Sequence, residues 1–164
     1  MTELGISKNG KRVLVDLIGS HAATHIKDEP SIEALLTDVI PKQVLTGDYL
    51  QYHIDMDCEI GVTNCVATDI TDDIVWAKRN GRDGYTVFTK SRQSQPSSLL
   101  TVAFEKLDES SYKLVSTWIG EADSPSFPDT PRATPESKPY WSSHALVWGS
   151  QAVQPGTETK ICPW

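Results

Sequence analysis

From Tyr49 onward the chain alternates. His53-Ile54-Asp55-Met56-Asp57-Cys58-Glu59-Ile60 places Ile54, Met56, Cys58 and Ile60 on one side of an extended strand and His53, Asp55, Asp57 and Glu59 on the other. Upstream the period is helical. Ile32, Leu35, Leu36, Val39 and Ile40 recur at 3.6-residue spacing, Pro30 precedes them, Ser31 can cap and Pro41 stops the run, which predicts a helix over 31–40. Val13–Ile18 is an apolar run short enough for either element, closed by Gly19-Ser20. Downstream, Tyr85–Lys90, Leu99–Lys106 and Tyr112–Ile119 read as strands. The polar link 107–111 suits a hairpin loop and 91–98, with Pro96, is short and polar, so the three are expected to pair antiparallel as a meander. Leu100, Val102 and Phe104 propose its apolar face, with Leu114 and Trp118 or Val115 and Ile119 opposite them according to register. Tyr140–Gly149 reads as a final strand with His144, Leu146 and Trp148 on one face.

These elements predict an α+β fold, an N-terminal helix or helices followed by an antiparallel sheet of about four or five strands. The 164 residues suit a single domain spanning 1–164, with 1–12 and 154–164 flexible. A proline-rich loop occupies 122–139, which holds five of the ten prolines and so cannot be regular structure. With 38% hydrophobic and 23% charged residues, the composition is that of a globular chain rather than a disordered one. No apolar run approaches the roughly 18 residues that cross a bilayer, and the first residues hold no apolar leader core, so the expected setting is cytoplasmic and without a membrane partner. Three cysteines, Cys58, Cys65 and Cys162, are an odd number without CxxC spacing, which argues against a disulfide framework or a four-cysteine zinc site.

Charge is distributed unevenly. From Trp76 to Arg92 the cations Lys78, Arg79, Arg82, Lys90 and Arg92 face Asp83 alone, a net +4, so the rest of the chain carries −11 against the total of −7. Guanidinium groups offer planar paired donors that suit phosphate, and arginines at the start and end of one strand can converge on an anion. The ordinary alternative is a solvated face balanced by the acidic stretch just before it, Asp55, Asp57, Glu59, Asp69, Asp72 and Asp73. His21 and His25, four apart, could share a helix face as two metal ligands, but no acidic residue lies between them, and neither a metal nor another cofactor is expected. His144 enters an apolar strand after an aromatic pair and two serines; it is either a core histidine with satisfied partners or a general acid or base. Neither Cys58 nor Cys65 has the local signature of a nucleophile paired with it.

The order of these segments carries a resemblance. Tyr52-His53-Ile54-Asp55-Met56, then Ala77-Lys78-Arg79-Asn80-Gly81-Arg82-Asp83-Gly84-Tyr85-Thr86-Val87-Phe88, Ser97-Ser98-Leu99-Leu100-Thr101-Val102, Tyr112-Lys113-Leu114 and Tyr140-Trp141-Ser142-Ser143-His144-Ala145-Leu146-Val147 resemble, as a layout over roughly 45–150, the barnase, EndoU, colicin and RelE-like small metal-independent RNase toxins. The resemblance implies endoribonuclease chemistry through a 2′,3′-cyclic phosphate, a hydrolase activity on RNA with an immunity or antitoxin protein as a further partner. Such chemistry wants a base, an acid and cationic donors. Carried over by position, His53 and His144 are acid/base candidates with Arg82 in the catalytic set. Arg79, Arg92 and Lys78 are phosphate binders, and Ser97 or Ser98 an orienting hydroxyl. The alternative is a non-enzymatic protein-binding module, or an inactive relative of such an RNase, whose Trp141, Trp148 and Trp164 and proline loop form an interface.

Overall fold

The computed structural model of the chain describes residues 1–120 and 124–164, and leaves out the side chain of His21. Strand accounts for 38% and helix for 15%, in three sheets with three short helices among the described residues. The expected layout of helices followed by one antiparallel sheet is therefore incorrect. Strands precede the helices, the sheets are several, and two of them contain parallel pairs. The chain forms two compact units, Met1–Ile60 with Ser98–Ile119 and Gly61–Ser97 with Gly120–Trp164.

In the first unit, β1 (Thr2–Ile6) and β2 (Arg12–Val15) occupy residues expected to fray or to be ambiguous. They join β3 (Tyr49–Asp55), β9 (Leu99–Asp108) and β10 (Ser111–Ile119) in a sheet of order β1-β2-β10-β9-β3. The β9–β10 hairpin is antiparallel as the loop at 107–111 required, whereas β10 lies parallel to β2. Helices α1 (His21–Asp28) and α2 (Ser31–Val39) pack their apolar stripes on this sheet. Ile32, Leu36, Val39 and Ile40 form a core with Val13, Val15, Leu100, Val102, Phe104 and Leu114. Ser20 caps α1, its Oγ accepting from Ala23 N at 3.0 Å. A 3-10 turn over Ile40–Lys42 ends α2 where Pro41 removes a backbone donor.

In the second unit the four-stranded sheet runs β5-β11-β7-β6, built from β5 (Cys65–Ala67), β6 (Ile74–Lys78), β7 (Tyr85–Thr89) and β11 (His144–Val147). Thus Tyr85–Thr89 does not extend the β9–β10 meander. It pairs with β6 antiparallel and with β11 parallel, and residues 86–89 are buried because both faces of the strand are covered. A two-stranded sheet joins β4 (Gly61–Thr63) to β8 (Gln95–Ser97). Tyr140 and Trp141 end a short helix, α3 (Ser137–Trp141), instead of starting the last strand. The tail is tied down, since Trp76 and Thr159 exchange backbone hydrogen bonds at 2.9 and 2.8 Å and Gln154 N donates to Lys78 O at 2.7 Å. Of the proline loop expected over 122–139, Ala122 and Asp123 lie outside the described residues.

Candidate functional site

Lys78 pairs with Tyr85 at the end of the β6–β7 ladder, so residues 79–84 form the hairpin loop and carry Arg79 and Arg82 at its tip. Gly81 supplies the positive φ of +72° that this turn needs. The loop is held from outside its own hairpin. Gln154 Nε2 donates to both Arg79 O, at 3.0 Å, and Arg82 O, at 2.8 Å.

Beneath the loop runs the proline-rich segment. Gly84 makes the approach possible, for a Cβ there would stand 2.9 Å from Thr130 Cγ2 and 3.0 Å from Asp129 Oδ1. Asp129 Oδ2 accepts from Tyr85 N at 2.7 Å. Phe127 stacks on Trp141 with centroids 4.2 Å apart, Trp141 Nε1 donates to Pro125 O at 2.9 Å, and the Arg79 guanidinium lies over Phe127 at 5.3 Å. Arg79 Nε donates to Thr86 Oγ1 at 2.9 Å.

These parts line a half-open cavity of about 690 Å³ whose lining includes Arg79, Arg82 and Arg132, with Asp83, Tyr85, Phe127 and Asp129. No carboxylate among the described residues forms an ion pair with any of the three arginines. Burial, and then the like charge of Arg82, push the half-buried Arg79 guanidinium below its usual value. An anion in the cavity would relieve that repulsion.

The rest of the basic island is engaged elsewhere. Arg92 donates from Nε to Asp72 Oδ1 at 2.8 Å and from Nη2 to Asp72 Oδ2 at 3.0 Å and Asp69 Oδ2 at 3.2 Å. Lys90 pairs with Glu158 at 2.5 Å and sits over the Trp148 ring at 4.6 Å. Lys78 lies over Tyr85 at 5.2 Å.

His144 lines a second cavity of about 550 Å³ in the same unit, with Asp69, Asp72, Trp76 and Trp164, and Trp141 lines both cavities. Its Nδ1 lies 3.1 Å from both Tyr140 O and Ser143 Oγ, which hold the ring in place. Tyr140 stacks on the ring, and the Tyr140 hydroxyl reaches Cys65 Sγ at 3.4 Å.

His53 belongs to the first unit. It stands on the exposed face of β3 with Nδ1 3.4 Å from Thr101 Oγ1. The alternation it belongs to holds through Asp55 and then breaks, with Asp57 in a turn at φ +59°, so Asp57 and Glu59 do not continue that face. Asp57 N–H, then the Ser98 hydroxyl, hold the Asp55 carboxyl below its usual range. Ser98 is thereby placed in the first unit, while Ser97 ends β8, opposite Gly61. His25 packs against Trp118 at 6.4 Å, and among the described residues no group of three or more His, Cys, Asp or Glu could hold a metal. No helix of the described residues is long and apolar enough to cross a membrane.

Sequence reasoning missed Arg132, Phe127, Asp129 and Gln154. Phe127 did leave a signal, being the one aromatic residue between Ala122 and Pro139, and so the natural anchor of that segment. No protein-family model, curated protein or solved structure matches the chain.

Proposed function

We propose that the second unit binds a phosphate-bearing ligand, RNA by preference, in the arginine cavity, and that the protein works as an RNase-like, metal-independent domain. The observation that carries the reading is Arg79 and Arg82 without carboxylate partners among the described residues, facing one cavity in a chain of net charge −7. With Arg82 exposed and Arg79 half-buried, both guanidinium groups stay available to an anion. His144 is the acid/base candidate of this reading, its ring held at Nδ1 by Tyr140 O and Ser143 Oγ and stacked on Tyr140. It lines the neighbouring cavity and not the arginine cavity, so the arginine and histidine variants are read separately for binding and for cleavage.

Purified protein is incubated with labelled RNA in EDTA at low salt. Binding should weaken steeply as salt rises and vanish when Arg79 and Arg82 are both replaced by alanine. Cyclic-phosphate ends that disappear in His144→Ala would support cleavage. RNA bound but intact would identify a binding module, and RNA neither bound nor cut would refute the phosphate reading.

A further inference from the structure

A bare phosphate or sugar phosphate leaves most of the arginine cavity unused. At about 690 Å³ it falls in the range of sites for organic ligands of drug size, roughly 300–1,000 Å³. Its walls are also of two kinds. The β6–β7 loop brings Arg79 and Arg82, while the proline segment and the start of β7 bring rings. Of the rings in the lining, Trp141 is buried, with 5% of its surface left, and Phe127 carries the Trp141 stack and the Arg79 guanidinium, so the half-buried Tyr85 and the uncovered part of Phe127 are what remains. Two carboxylates, Asp83 and Asp129, share the lining and oppose a run of consecutive phosphates.

We infer that the cavity takes one unstacked nucleotide, its phosphate held by the arginines and its base against Tyr85 and Phe127. The inference rests on the phosphate reading above and narrows it to single-stranded ligands, because a base reaches a recessed ring only when freed from its stack. Stacking on an aromatic ring is worth about tenfold in affinity per base, about 1.4 kcal/mol.

The test is calorimetric titration of the intact protein at low salt with nucleoside 5′-monophosphates, ribose 5-phosphate, phosphotyrosine and inorganic phosphate. The nucleotides should bind about tenfold more tightly than ribose 5-phosphate. Tyr85→Leu and Phe127→Leu should each reduce that advantage, nucleotide affinity falling more than ribose 5-phosphate affinity. Thermal unfolding identifies a misfolded variant, and the remaining variant and the wild-type selectivity then decide. Equal affinity for nucleotide and ribose 5-phosphate would overturn the inference while leaving the phosphate reading intact, as would leucine variants that weaken both ligands alike. Phosphotyrosine binding as tightly as the nucleotides would show a site for any ring-bearing phosphate and overturn nucleotide recognition. If none of the phosphates binds, the phosphate reading fails and this inference with it.

Discussion

Asp72 and Arg92 form a two-point ion pair, Nε to Oδ1 at 2.8 Å and Nη2 to Oδ2 at 3.0 Å, with the Asp72 side chain only 3% exposed. The pair spans the β6–β7 hairpin from the residue pair that precedes β6 to the residues that follow β7, and it turns Arg92 toward the acidic loop. Hydrogen bonds from Arg92, then the Ser91 hydroxyl, then Asp69 N–H, hold the Asp72 carboxyl well below the usual carboxylate range. A carboxylate depressed in this way stabilises the fold fully above its unfolded-state pKa, and that stability is lost as pH falls through the lower folded-state value. Asp72→Asn should therefore be less stable than wild type at neutral pH. In urea unfolding the gap should hold down to about pH 4 and close progressively below it.

The two groups of island arginines should respond differently to salt. Arg82→Ala should reduce the slope of log affinity for single-stranded RNA against log salt by about 0.7, the value for one lost phosphate contact. Arg92→Ala, which removes a guanidinium already held by Asp72 and Asp69, should leave the slope unchanged and lower the unfolding midpoint instead. Equal slopes for the two variants would contradict this division.

Gln154 should behave as a positioning residue. Its side chain bridges the Arg79 and Arg82 carbonyls, so Gln154→Ala should weaken RNA binding severalfold without changing the salt slope, because the number of phosphate contacts is the same. The two lost hydrogen bonds should cost about 1–3 kcal/mol in denaturant unfolding. A reduced slope would instead mean that an arginine contact had been lost.

Trp141 joins the proline segment to the sheet through its stack on Phe127 and its bond to Pro125 O. Trp141→Ala should cost about 3–5 kcal/mol, and Trp141→Phe, which keeps a ring but loses the donor, about 1 kcal/mol. Limited proteolysis should cut the alanine variant near Phe127 well before wild type.

Gly84 and Gly81 should fail for different reasons. At Gly84 an added methyl meets the Thr130 and Asp129 side chains, so Gly84→Ala must shift them and should cost about 1–3 kcal/mol along with ligand binding. At Gly81 nothing lies within 4 Å and only the positive φ resists, so Gly81→Ala should cost about 1–2 kcal/mol. Unfolding and binding measured on both variants separate the two causes.

Local pattern was enough for elements whose partners are near in sequence. The 3.6-residue spacing of Ile32, Leu36, Val39 and Ile40 determined α2 and its buried face, and the alternation through 49–55 determined β3. The short polar link at 107–111 determined the β9–β10 hairpin, and Leu100, Val102 and Phe104 join one apolar core as their parity required. Even within that hairpin, one feature escaped both proposed registers. The bulge between Leu114 and Ser116 inverts the parity of β10, so Leu114 and Ile119 both meet the core.

Only the tertiary structure decided which sheet β7 joins, since its parallel partner, Val147 beside Thr89 and Leu146 beside Phe88, lies more than fifty residues away and leaves no trace in the local period. The same holds for the charges. Composition located the basic island, but each cation is engaged or unpaired according to groups brought from other segments: Asp72 for Arg92, Glu158 for Lys90, and for Arg79 the ring of Phe127 with no carboxylate among the described residues. Side-chain period reports which face of an element is apolar, whereas a site depends on which distant faces and loops meet, and that is determined by packing.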